Sequence, residues 1–405
     1  MPMTSEDGTR LIVIRDPLEL TGDGTLALHA ESAGLLRLLD GSRTVEDIFR
    51  TVASIQASNG QAATSIPFET IKSFLDQLDE VFLLDNQRFQ DARRSLVDGF
   101  CARRNRDAAL AGKSYPEDPS ETSAWLDDLL KQECAPAEYA QLKTREITAI
   151  VSPHIELEVG RKLYAAAYNT LRGRSYDRVV VLGVGHNLVN GIFSITDKDF
   201  ITPLGRVHTD RLAARSLRAA AGPLAAPDDF AHKGEHSIEF QVILLQHVLK
   251  GPFSLVPLLI GSLHAPLIES SVPRPLAVEP LQPLIRKLAA LIESPSCRTL
   301  IVAGVDFSHV GLKFGDRKPG IQLTRDAAAL DRKLLKALAA RDVQAFCAAN
   351  RVARDRYHVC GFSTLSLLLE ILPESCRGVE LGYQTWHEHA TQSAVGFGAV
   401  AFVEV

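Results

Sequence analysis

Three apolar runs in this chain each end in residues able to bind a metal or move a proton. Residues 147–151 lead into Ser152-Pro153-His154, residues 179–182 into Gly183-Val184-Gly185-His186, and residues 301–305 into Asp306-Phe307-Ser308-His309. Imidazole and carboxylate are donors of catalytic metal centres and also general acids and bases. In an open α/β sheet, ligands collect outside the carboxyl ends of the strands. Parallel neighbours would therefore bring His154, His186, Asp306 and His309 to one crevice. A lone histidine is more often a satisfied structural residue, but several at equivalent strand ends point to a site. Gly183 and Gly185 allow a sharp turn and close backbone approach. Gly-Val-Gly-His lacks the lysine of a phosphate loop, so nucleotide binding is poorly supported.

A thiol adds to this set. Cys360 lies in Tyr357-His358-Val359-Cys360-Gly361-Phe362-Ser363, just before an apolar helical pattern. A helix N-terminus favours thiolate, the form that binds metals or attacks electrophiles; an inert buried cysteine is the alternative. His358 is expected on a strand, pointing elsewhere, and reads as structural. Gly234-Glu235-His236-Ser237-Ile238-Glu239 opens another helix, with Glu235 and Glu239 on one face. No His-Glu-x-x-His motif is present, and Glu235 and His236 are expected to line or support the pocket. His208 follows Thr202-Pro203-Leu204-Gly205, a turn expected near the pocket. His29, His232, His247, His264, His387 and His389 read as surface or core, with His264 set apart because it ends an apolar run.

The elements that must position these residues alternate. Runs 147–151, 178–182, 253–260, 299–302 and 399–403 read as strands. Residues 161–171, 238–249, 327–340 and 362–372 read as helices. Short continuous apolar strands between helices predict a sheet covered on both faces, a three-layer α/β/α domain over residues 109–405. Residues 266–283 are Pro-rich and expected to be a surface loop. Residues 91–108 read as a helical linker, and Ser120 or Thr122 as the cap of the helix carrying Trp125.

Residues 1–90 predict a separate small α+β module. Residues 11–15 are strand-like, and 33–39 are helical up to Asp40-Gly41. Thr44 and Asp47 are spaced as a capping box. Residues 54–66 read as a loop, 68–81 as a helix and 82–84 as a closing strand.

Composition narrows the function. The 405 residues carry a formal net charge of −5, so there is no basic footprint for nucleic acid. The first ten residues lack the apolar core of a signal peptide, and no apolar run is long enough to span a membrane. The six cysteines are scattered without a CxxC pair, as expected of reduced thiols in the cytoplasm.

Together, Ala111-Gly112 with Tyr115-Pro116, Ser152-Pro153-His154, Leu182-Gly183 with His186, Thr202-Pro203-Leu204-Gly205, Glu235-His236-Ser237-Ile238-Glu239, Asp306-Phe307-Ser308-His309 and Cys360-Gly361 resemble the Memo family, including the Memo-like component of the AmmeMemoRadiSam system. The resemblance implies a fold related to extradiol-type nonhaem iron dioxygenases. It implies iron or copper, with zinc as an alternative, held by His154, His186 and Cys360. His309 would be the acid/base and Asp306 its neighbour. A redox enzyme acting on a small molecule or a modified peptide is the first expectation. A non-catalytic metal- or partner-binding protein and a zinc-dependent hydrolase are the others. The family's Ala-Gly-Tyr after the first histidine is Ile155-Glu156-Leu157 here, which alters the pocket wall and adds Glu156. The usual Pro-Ser before the second histidine is Val184-Gly185.

Residues 35–48 and 75–84 resemble PqqD-like winged-helix modules that sit beside peptide-modifying enzymes. That resemblance implies a leader peptide as ligand, or a radical SAM protein as partner.

Overall fold

The computed structural model describes all residues except 1, 5–7, 17, 19, 21–23, 59–65, 132–141, 143, 271 and 405. Cys134 and most of the loop expected at 54–66 lie outside the described residues. The chain forms two compact units, residues 1–102 and 103–405.

In the first unit β1 (Pro2–Thr4), β2 (Arg10–Arg15) and β3 (Thr25–His29) form an antiparallel sheet. Helices α1 (Ala33–Leu36), α2 (Val45–Ser58), α3 (Phe68–Glu80) and α4 (Gln87–Cys101) follow. The capping box closes reciprocally: the Asp47 amide donates to Thr44 Oγ1, and the Thr44 amide to Asp47 Oδ2, both at 3.2 Å. The strand expected at 82–84 is absent. Phe82 takes φ 59°, and the amides of Phe82 and Leu83 return to the carbonyls of Asp79 and Leu78. This left-handed cap ends α3 and turns the chain away from extended structure. The expected linker at 91–108 is divided between the units. Asn86 caps α4 and Arg88 bonds the Glu80 carbonyl, tying that helix to α3, whereas Asn105–Arg106 is a strand of the second unit.

The second unit is the expected three-layer domain. Its strands are β4 (Asn105–Arg106), β5 (Ile147–Ser152), β6 (Arg178–Val184), β7 (Phe193–Ile195), β8 (Asp199–Thr202), β9 (Gly205–Val207), β10 (Ser254–Ile260), β11 (Thr299–Gly304), β12 (His309–Gly311), β13 (Cys376–Glu388) and β14 (Ser393–Glu404). The main sheet runs β12-β14-β5-β11-β6-β10-β7, with β13 on β14. Strands β5, β11, β6 and β10 are parallel neighbours, and β14 and β7 flank them antiparallel. β4, β8 and β9 form a small separate sheet.

Side chains alternate across a strand, and both faces are buried. Val180 and Leu182 enter one core, Val179 and Val181 the other. The first core is closed by α7 (Arg211–Ala221), α9 (Gln282–Ile292), α10 (Gly320–Ala339), α11 (Val343–Ala353) and α12 (Phe362–Ile371). The second is closed by α5 (Pro119–Leu129), α6 (Leu157–Tyr168) and α8 (His236–Val248). The Pro-rich segment at 266–283 is no open loop: it folds into short helical turns and buries Leu267, Pro275 and Leu281. Asp118 caps α5 in place of Ser120 or Thr122, accepting the amides of Ser120 and Glu121, with Pro119 in the first turn. No helix among the described residues is long and apolar enough to cross a membrane.

Candidate metal centre

β11 lies between β5 and β6, with Gly304 opposite Ser152 and Ala303 opposite Leu182. The three strands therefore end together, and His154, His186 and the Asp306–His309 segment leave from neighbouring carboxyl ends. The N-terminus of α8 presses onto the same edge. A Cβ on Gly304 would fall 2.3 Å from the Ser237 carbonyl, and one on Gly183 2.6 Å from Ser237 Oγ. Both glycines are needed for this approach, and it seats His236 against the other two imidazoles.

His154, His186 and His236 offer ring nitrogens that all lie within 4.8 Å of one another, a cluster able to hold a metal ion. His154 is buried, His236 half-buried and His186 exposed, so the cluster opens to solvent past His186. Cys360 Sγ is 3.5 Å from His154 Nε2, and Asp306 Oδ2 is 3.7 Å from the same nitrogen.

Hydrogen bonds set which nitrogen faces the cluster. His154 Nδ1 lies 3.0 Å from the Gly304 carbonyl, which can only accept, so Nδ1 carries the proton and Nε2 a lone pair. His186 Nδ1 donates to Glu235 Oε1 at 3.0 Å, again freeing Nε2. His236 Nδ1 is 3.3 Å from the same oxygen. Glu235 is also the N-cap of α8, accepting the Ser237 amide at 2.9 Å. One carboxylate thus orients two imidazoles. The carbonyls flanking His154 are held as well: Gln241 Nε2 donates to Pro153 O at 2.9 Å, and Tyr164 OH to Ile155 O at 2.7 Å.

Burial governs the charges. It drives His154 well below the ordinary imidazole range, with His186 and His236 adding repulsion. Burial would also lower His186, but the Glu235 hydrogen bond and charge raise it. The Glu235 carboxyl, which burial would raise, is held down to about 2 by His186, His236 and the Ser237 amide. Asp306 goes the other way: burial lifts it to about 7 despite the His154 and Ile155 amides.

Cys360 departs from expectation. Burial, with the charge of Asp306, pushes its thiol well up, so the helix N-terminus alone does not make it a thiolate. Its Sγ donates to the Asp306 carbonyl at 3.4 Å. His309 also departs: burial lowers it to about 4 rather than leaving it near neutrality. Its Nδ1 donates to Phe307 O at 3.0 Å, and it lies close enough for its charge to depress His154.

Other expected residues stand apart. His208 is 72% exposed and bonds Asp199, while its carbonyl takes the Leu255 amide at the amino end of β10. That is the opposite end of the sheet from the cluster, because the turn at 202–205 belongs to the small sheet. Glu156 is exposed and accepts from Ser114 Oγ at 3.1 Å. His358 sits in a left-handed turn at φ 48°, not on a strand, and donates to the His309 carbonyl.

Sequence reasoning placed His236 as a residue that lines or supports the pocket. The signal for more was present, since it follows an N-cap glutamate at a helix start. Arg106 was missed, because one arginine in a charged stretch carries no pattern. It is fully buried, donates to the carbonyls of His232 and Glu235 at 3.0 and 3.1 Å, and pairs with Glu239. It thereby fixes the turn that carries Glu235 and His236.

A family model described as Memo-like protein matches residues 106–401. A MEMO1 family protein of Aquifex aeolicus is 29% identical over 395 residues, spanning 96% of this chain and 95% of its own. That span is too long to omit residues 1–102, so the similarity extends into the first unit. A MEMO1 family protein of Nitrosopumilus maritimus is 22% identical over 74% of this chain and 99% of its own. One of Thermus thermophilus is 26% identical over 83% of this chain and 93% of its own.

Proposed function

This chain belongs to the Memo-like protein family, and from that premise we propose that it is a nonhaem metal-dependent redox enzyme. Iron would be held by His154, His186 and Cys360, in a site related to that of extradiol-type dioxygenases. Support comes from the meeting of Cys360 Sγ with His154 Nε2 at 3.5 Å, beside an imidazole cluster that opens to solvent. Imidazole and thiolate donors suit iron, copper(I) or zinc rather than magnesium or calcium. When bound, iron would supply one-electron redox chemistry at positions the three ligands leave open.

The chain's own groups divide the remaining work. His309, neutral because burial holds it at about 4, offers Nε2 as a proton acceptor. Asp306, lifted by burial to about 7, holds or yields a proton near neutrality. The substrate is a small molecule or a modified peptide residue. The first unit, read as a PqqD-like module, docks a leader peptide or a radical SAM partner protein. Titrating the full chain with peptides encoded beside its gene should give saturable binding, and no binding by any of them would remove the peptide reading.

One observation favours a second reading. His154, His186 and His236 bring three imidazole nitrogens within 4.8 Å of one another, the donor set of an open zinc site. Elemental analysis of anaerobically purified protein separates the two. About one iron per chain, lost in Cys360→Ala, is expected. Stoichiometric zinc would favour a structural or hydrolytic centre, and no metal even after reconstitution would sink the enzyme reading.

Metal affinity should also depend on pH. The Cys360 thiol is raised by burial, so binding must release its proton. Affinity is therefore lost as pH falls, by about tenfold per unit through the neutral range. Zinc titrations at several pH values check this, and the slope should flatten in Cys360→Ala.

A further inference from the structure

Ser262, His264 and Asp355 form a hydrogen-bonded line outside the imidazole cluster. Ser262 and His264 follow the carboxyl end of β10, and Asp355 follows α11. Ser262 Oγ lies 2.7 Å from His264 Nδ1, and His264 Nε2 bonds Asp355 Oδ2. The residue types are those of a nucleophilic triad. However, the serine oxygen also accepts the His264 amide at 3.2 Å, as a hydroxyl that closes a local turn does. The consequence of the line is found at its far end.

Asp355 Oδ1 accepts the Val359 amide and Asn350 Nδ2, each at 3.0 Å. The carboxylate therefore has one oxygen on the β10 loop and the other on the turn that delivers Cys360. That turn is strained. Arg354, Asp355 and His358 take φ 51°, 47° and 48°, a region L side chains rarely occupy. Such backbone persists only where its surroundings over-determine it. His264 also packs its ring against Phe362, two residues beyond the thiol, at 5.8 Å between centroids. It thus touches the cysteine segment on both sides.

We infer that His264 and Asp355 are positioning residues, which hold the strained 354–359 turn so that Cys360 faces His154. The inference rests on the reading of Cys360 as a metal ligand. Without His264 the Asp355 carboxylate loses its anchor, the turn relaxes and the thiol leaves its place. Neither residue touches the metal cluster itself. Their action is through the backbone of residues 355–360.

Cobalt(II) loading tests this, because cobalt accepts the same donors and a cobalt–thiolate bond gives a charge-transfer absorption band. Wild type should show the band. His264→Ala and Asp355→Ala should still bind cobalt through the imidazoles, with a weakened band and affinity lowered by about ten- to a hundredfold, as for other outer partners of metal ligands. His264→Gln, whose amide still donates to Asp355, should recover most of the band. An undiminished band with unchanged affinity in His264→Ala would overturn the inference while leaving Cys360 as a ligand. A wild type that binds cobalt without the band would overturn the ligand reading and this inference with it. Should the alanine variants fail to fold, His264→Phe decides: its ring keeps the packing on Phe362 and loses the hydrogen bond to Asp355. A weakened band is then expected, and an unchanged one again overturns the inference.

Discussion

Arg106→Ala should lower the stability of the second unit by about 3–5 kcal/mol, as when one partner of a buried ion pair is removed. Arg106 and Glu239 are each only 1% exposed, and the guanidinium also caps the carbonyls of His232 and Glu235. Glu239 takes three further hydrogen bonds, from the amides of Ala109 and Leu110 and from the Tyr115 hydroxyl. Removing the arginine leaves that carboxylate charged without a counter-ion in the interior. Removing both charges together, as Arg106→Met with Glu239→Leu, should cost much less, because no orphan charge remains. Denaturant unfolding of metal-free protein gives the comparison. A single-variant loss under about 1 kcal/mol, the range of an exposed pair, would show that water reaches this site. Metal affinity should fall alongside stability in Arg106→Ala, since the arginine grips the turn carrying Glu235 and His236.

His154→Ala should lower metal affinity by about two to four orders of magnitude. A zinc-type site is worth about 10–16 kcal/mol, so one of three protein ligands carries roughly 3–5 kcal/mol of it. Among the proposed ligands, His154 is the one whose loss should be most costly. Its Nε2 is the nitrogen near both Cys360 Sγ and Asp306 Oδ2, and its backbone amide donates to Asp306 Oδ1 at 3.0 Å. His236→Ala should cost only about tenfold, in the range of an outer partner. Competition titration against a chelator measures both. Equal losses in the two variants would place His236 in the inner set and favour the three-imidazole zinc reading.

Much of this was legible from local pattern. Continuous apolar runs such as 178–182 and 299–302 announced strands buried on both faces, and those strands form the parallel centre of the sheet. Their carboxyl-end histidines announced a meeting of side chains, because topology obliges parallel neighbours to end on one side. Where pattern misled, a backbone conformation or a long-range partner intervened. Phe82 is apolar enough for a strand, yet its left-handed conformation closes a helix. His208 directly follows β9 of the small sheet, which carries it to the amino end of β10.

Residue type and spacing alone therefore determined the layered α/β class, the strand-end location of the site and the kinds of donor available there. The first two follow from the short-range alternation of side chains along each element, and the third from residue type. Tertiary structure decided the rest. It brought His236 into the cluster, because Gly183 and Gly304 admit the end of α8. It also set the charges of the metal-free chain, raising the Cys360 thiol and keeping His309 neutral, through burial that no single residue encodes. Proton affinity and ligand reach depend on groups far apart in the chain, such as Asp306 beside His154 or Arg106 beside Glu239, and only their packing makes them neighbours.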